Sequence, residues 1–217
     1  MITEKLLKAV GASAPTAYLY APMLEEARKV EGDSYNTISS TKGVAMLVSQ
    51  LAHESAGFSV MTENLNYQAV ALTTLFGSHR ISVNDAFLYG RNGSKKADQF
   101  AIANLIYGGE WGRKNLGNTE PDDGWTFRGG GPLQLTGRAN YTAWGKTIGL
   151  SPVEAAAHIR TAKGGISAAL WFWRKNGLLI PASKGDVATC TKIINGGTNG
   201  LNARVSLYND ALKALNS

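Results

Sequence analysis

Apolar residues recur at the helical period along most of this chain. The stretch 41–56 shows it best: Val44, Leu47, Val48 and Leu51 line one face, Thr41 is placed to cap the start, and Gly57 supplies a stop. Before it, 2–10 and 16–31 read as two amphipathic helices split by "GASAP". After it come a helix over 67–76, one opened by Ser82 with Asp85 three residues on, and one over 94–107. "SPVEAAAHI" carries the strongest helix start, with Ser151 as cap, Pro152 at the first helical position and Glu154 closing the capping box. Helices over 165–175, 186–194 and 202–215 complete the set.

One region breaks the pattern. From Gly108 to Gly137 the chain is rich in Gly, Asn, Asp and aromatics, and "YGGEWGRKNLGNTEPDDGW" reads as a long loop of the kind that carries function. "WTFRGGGPLQLTG" then alternates like a short hairpin, with Leu133 and Leu135 on one face and Gln134 and Thr136 on the other. There is no internal repeat and no linker. The expected fold is mainly α, a single domain over 1–217 in which N-terminal helices (1–40) pack onto a core of 41–217, with a small β-hairpin.

Composition narrows the function classes. Hydrophobic residues make up 44% and charged residues 18%, as in a globular chain. A net charge of +6 favours an anionic partner such as a membrane surface, nucleic acid or an acidic wall polymer, although mild basicity also serves solubility alone. No block of five Lys/Arg occurs, which argues against nucleic acid. No apolar run approaches the ~18 residues of a membrane span, and no stable membrane insertion is expected. The start has Lys5 and Lys8 but also Glu4, and Gly11, Ser13 and Pro15 interrupt its apolar stretch, so no clear signal peptide is expected. Synthesis in the cytoplasm follows, with another agent needed for any action on a wall. Cys190 is the only cysteine and excludes an internal disulfide; in "VATCTKII" it reads as a core residue. His53, His79 and His158 lack ligand spacing, and neither metal nor cofactor is expected.

Two glutamates carry the candidate chemistry. Glu54 lies one turn beyond Leu51 and in line with Leu47, on the apolar face of its helix, whereas His53 does not. Desolvation there should raise its pKa, as a general acid requires. Glu63 sits nine residues later in a polar segment, where it should stay ionised and can act as a base. Two carboxylates in unlike surroundings suit glycoside hydrolysis. The plainer alternatives are a helix-end glutamate bonded to a backbone donor and a glutamate capping the next helix. Gln134 and Thr136 either line a polar cleft or face solvent on an ordinary strand. In "KIINGGTNG", Asn195 is either a helix stop or an amide facing a sugar, and Arg204 either pairs with a cleft carboxylate or makes a surface ion pair.

Taken together, "AHESAGF", "ENLNY", "FRGGGPLQLTGRANY" and "INGG", in that order, resemble glycoside hydrolase family nineteen: the plant-type chitinases and, more closely, the phage endolysins that share their fold. The match runs from Gln50 to about Arg204. The resemblance implies a lysozyme-like α-rich catalytic domain with the hairpin beside its cleft, and an inverting mechanism, in which a water fits between carboxyls about 6.5–9.5 Å apart. It makes Glu54 the acid, Glu63 the base and Thr136 the residue that holds the water. It places Gln134, Tyr141 and Asn195 at substrate-contacting positions and Arg204 near the site. The family arginine of Gly-Arg-Gly is here Gly130, so either Arg128 takes its place or the contact is lost. Glu110 lies in the loop near the cleft on this reading. Basic charge and the endolysin-like motifs favour the glycan strands of bacterial peptidoglycan, cut between N-acetylmuramic acid and N-acetylglucosamine by a monomer released through a holin-type pore, with host lysis as the outcome. A chitinase, a lytic transglycosylase and a non-catalytic wall-binding module are the competing readings.

Overall fold

The computed structural model describes residues 1–93 and 95–217. In chain order its helices are α1 (Glu4–Ala9), α2 (Ala14–Ala27), α3 (Thr41–Glu54), α4 (Ala69–Phe76), α5 (Val83–Tyr89), α6 (Gln99–Ile106) and α7 (Gly109–Leu116). They continue as α8 (Asp123–Thr126), α9 (Arg138–Thr147), α10 (Pro152–His158), α11 (Ala162–Lys175), α12 (Leu179–Lys184), α13 (Val187–Asn195) and α14 (Leu201–Leu215). Among the described residues β-pairing is confined to isolated bridges; the expected hairpin is present in its smallest form, the antiparallel pair Gly130–Leu135.

Most expected helices are found, with ends set by local chemistry. The cap of α3 is Ser40, whose Oγ accepts from Gly43 N–H, and Thr41 is the first helical residue. Ser151 and Glu154 form the expected reciprocal box, with Ser151 N–H donating to Glu154 Oε2 at 2.9 Å and Glu154 N–H to Ser151 Oγ at 3.3 Å. The helix expected from Ser94 begins at Gln99, capped by Asp98; Ser94 itself lies outside the described residues. The long loop expected from Gly108 contains α7 and α8. Its glycines masked ordinary helix signals: Glu110 in the first turn of α7, Arg113 and Lys114 in the last, and left-handed Gly117 at the end.

The chain divides into two compact units, one comprising Met1–Met61, Gly131–Leu133 and His158–Ser217, the other Thr62–Gly130 and Gln134–Ala157. In the first, α3 is the central helix, packed by α14 and α12. Every residue from Gly43 to Ala52 is buried, so this stretch of α3 has no wet face. Leu6, Leu24, Leu47, Leu51, Leu170 and Trp173 anchor the core around it. Truncating one such leucine to alanine typically costs about 2–5 kcal/mol. Cys190 lies in the same core, and burial pushes its thiol up to about 12, which removes it as a nucleophile near neutral pH.

Glu25 braces this unit. It accepts from Arg28 Nε and Nη2 at 2.7 and 2.6 Å and from Ile2 N–H at 2.7 Å. Arg28, foremost among these partners, holds its carboxyl down at about 2. The depressed value gives stability that is full above the ordinary value of 4.5 and is lost as pH falls towards 2. Glu25→Gln should therefore cost about 2 kcal/mol at neutral pH. Its melting temperature should approach that of the parent as both are acidified, a convergence that thermal melts across pH would show.

The second unit builds a separate core from Leu65, Leu72, Ile81, Ile102 and Ile106 on α4, α6 and their connections. Polar bonds hold its glycine-rich part. Arg138 donates to both oxygens of buried Asp123 at 2.6 and 2.7 Å, and the Thr119 and Glu120 N–H groups add two more bonds. Burial alone would raise the Asp123 carboxyl, but Arg138 and these backbone donors outweigh it and hold it below its usual value. Asn118 donates to Tyr107 O and accepts from Arg138 N–H, both at 2.8 Å, fixing the start of α9 to the end of α6.

Candidate functional site

In the first unit the last turn of α3 presents Gln50 and Glu54, four residues apart on one face. Arg204, near the start of α14, bridges them: Nη1 donates to Gln50 Oε1 at 2.5 Å and Nη2 makes a short bond to Glu54 Oε1. Arg204 is 2% exposed, so this contact is its main business. The Glu54 side chain is 23% exposed and reaches solvent beside it. Glu54 is thus not an isolated carboxyl among apolar neighbours, as the helical phase implied; a guanidinium balances the burial. Arg204 thus engages Oε1 of Glu54, the oxygen that accepts its bond.

Gly200 lets α14 begin close to α3. It is left-handed, at φ +72°, and a Cβ there would sit 2.6 Å from His53 Nε2. Burial first, then the charge of Arg204, lowers the His53 pKa, which keeps the ring neutral near pH 7. Asn195 ends α13 in an exposed turn. Its amide donates to Asn199 O at 3.0 Å and its Oδ1 accepts from Gly197 N–H at 2.9 Å, so it closes its own loop.

In the second unit Glu63 has partners for both oxygens. Tyr107 O–H donates to Oε1 at 2.6 Å and Gly129 N–H donates to Oε2 at 3.0 Å. The backbone pairs too: Glu63 N–H donates to Gly129 O at 3.0 Å, and Thr62 bridges Gly130. Gly129 has little room for a side chain, since a Cβ would lie 2.5 Å from Gln134 Oε1 and 3.3 Å from Glu63 Oε2. The glycine run therefore brings backbone against the carboxylate.

Gln134 has a positive φ of 50°, which interrupts the strict alternation expected across this segment. Thr136 Oγ1 donates to Gln134 O at 2.8 Å, leaving its oxygen able to accept. Tyr141 is fully buried, and its hydroxyl donates to Arg128 O at 2.8 Å, supporting the turn before Gly129. The Arg128 guanidinium lies 3.5 Å from the Trp125 ring centre and donates to Trp125 O at 2.7 Å. Glu110 is exposed in the first turn of α7.

Sequence reasoning missed Gln50 and Tyr107. Gln50 was findable, because it precedes Glu54 by one helical turn. Tyr107 was not, since 44 residues separate it from its partner. Among the described residues no group of three His, Cys, Asp or Glu is placed to hold a metal, and no helix is long and apolar enough to cross a membrane.

No family model matches the chain. A Haemophilus influenzae protein described as a glycosyl hydrolase family 19 domain-containing protein is 34% identical over 166 residues, 76% of this chain and 76% of that one. The chain belongs to this family and is a chitinase-like glycoside hydrolase. An endochitinase of Arabidopsis thaliana is 35% identical over 98 residues, covering 42% of this chain and 34% of the endochitinase. Chitinase C from Streptomyces griseus shares the fold with a TM-score of 0.56 at 13% identity, over 100% of this chain and 93% of its own. A bacterial family 19 chitinase gives 0.53 at 14% identity, over 99% and 94%. The α-rich, lysozyme-like fold expected from the motifs is thus the fold observed.

Proposed function

We propose that this hydrolase is an endolysin, cutting the β-1,4 bond between N-acetylmuramic acid and N-acetylglucosamine in bacterial peptidoglycan by an inverting acid/base mechanism. Both units serve that one activity, and the protein works as a monomer. Glu54 protonates the leaving oxygen, while Arg204 engages its Oε1. Glu63 takes a proton from water, whose second hydrogen Thr136 Oγ1 accepts. Gln134 and Asn195 serve the glycan from their loops, whereas Tyr141, expected at a substrate-contacting position, is buried and supports the turn before Gly129 instead.

The observation that carries this reading is that each glutamate has a dedicated set of donors, Arg204 for one and Tyr107 with Gly129 for the other. A lytic transglycosylase needs an acid and no base, so a second carboxylate held this firmly favours hydrolysis. A wall-binding module would need neither carboxylate. The choice of peptidoglycan rests on the net charge of +6, which suits an anionic wall. Synthesis in a phage-infected host, exit through a holin-type pore and lysis of the cell complete the proposal. The second reading is a chitinase, favoured by the similarity to an endochitinase. Purified peptidoglycan and N-acetylglucosamine oligomers, offered separately, discriminate: release of soluble muropeptides is expected, and cleavage of the oligomers with no release from walls would reverse the choice.

A further inference from the structure

The Arg80 guanidinium in the second unit lies in an aromatic clamp. Its carbon is 3.7 Å from the Trp111 ring centre, 4.9 Å from that of Phe76 and 5.4 Å from that of Tyr107. Its Nε donates to Ile106 O at 2.7 Å, the residue before Tyr107. A planar cation stacked on three rings and bonded to the backbone has little freedom to move. It therefore fixes the Tyr107 ring from one side, while Asn118 holds the Tyr107 carbonyl. The Tyr107 hydroxyl then reaches Glu63 Oε1 at 2.6 Å, within the range of a charge-assisted bond.

We infer that Tyr107, backed by the clamped Arg80, is a positioning residue that orients the Glu63 carboxylate for its work as the base. The inference rests on the assignment of Glu63 above. The phenol donates one proton to Oε1 and Gly129 N–H another to Oε2, so the carboxyl plane is held at both oxygens. The Tyr107 pKa is raised, by burial first and by the neighbouring Glu63 charge next, so the phenol stays a donor throughout the working range. Among the described residues Tyr107, Arg80 and Tyr67 each interact with the Glu63 charge. Arg80 brings a positive charge to this cluster.

The test compares the parent, Tyr107→Phe and a protein with a ring-fluorinated tyrosine in place of Tyr107, using whichever glycan the parent cleaves. Losing the donor should lower kcat by about ten- to a hundredfold and leave KM within about twofold. Fluorination keeps the shape and the donor, so kcat and KM should both stay near those of the parent, a comparison that holds even if Tyr107→Phe folds poorly. A Tyr107→Phe protein with the kcat of the parent, or an equal loss of kcat in the fluorinated protein, would overturn the inference. Glu63→Gln separates the two levels. If it retains activity, the base assignment falls and the inference with it; if it is inactive while both Tyr107 proteins match the parent, the positioning role alone falls.

Discussion

Glu54→Gln is expected to lower the rate of glycan hydrolysis by at least about two orders of magnitude and to leave wall binding near that of the parent. The amide is nearly isosteric and its oxygen can still accept from Arg204, as Glu54 Oε1 does. It has no acidic proton to give to the leaving oxygen. The loss should therefore appear in kcat, while KM and sedimentation with purified walls change little. Retained activity would remove Glu54 from the acid role. Its match to the family motif would then mark structure rather than chemistry.

Arg204→Leu should damage both stability and rate. Arg204 is buried and joins Gln50 to Glu54 across 154 and 150 positions of sequence, so it ties α14 to α3. Removing it strands a buried amide oxygen and a partly buried carboxylate. Breaking such a pair costs about 3 kcal/mol, or roughly 10 °C in melting temperature for a chain of this size. Arg204→Lys is the informative companion. It keeps the charge but has no planar fork to reach Gln50 and Glu54 together. Calorimetry should therefore show part of the stability restored, while the rate stays well below that of the parent. If Arg204→Lys matches the parent in rate, Arg204 is a counter-charge and does not set the orientation of Glu54.

The helices were legible where local signals agree. The Ser151–Glu154 box is written into a few adjacent residues and occurs as read. α7 was not legible, because four glycines from Gly108 to Gly117 outweighed its charges and its left-handed stop. The site divides the same way. Glu54 and Glu63 stood out as carboxylates in unlike settings. What each glutamate touches did not stand out, because Arg204 and Tyr107 come from distant sequence and their contacts exist only after folding. Helical phase predicted an apolar setting for Glu54, whereas its side chain is partly exposed and paired with Arg204. Phase cannot say that another helix brings a buried guanidinium to the same spot. Gly129 is a similar case: a run of three glycines reads as flexibility, whereas one of them serves to bring a backbone N–H onto a carboxylate.

The proposed activity makes a single demand on its products. Inversion at the cleaved centre, with hydrolysis rather than internal ring closure, leaves N-acetylmuramic acid at a free reducing end in the α configuration. Proton NMR during the first minutes of digestion of purified peptidoglycan, before the anomers equilibrate, reads this directly. Soluble fragments ending in the α anomer of N-acetylmuramic acid are predicted. The β anomer, a 1,6-anhydro end, an N-acetylglucosamine reducing end, or intact walls alongside cleaved chitin oligomers would contradict the account.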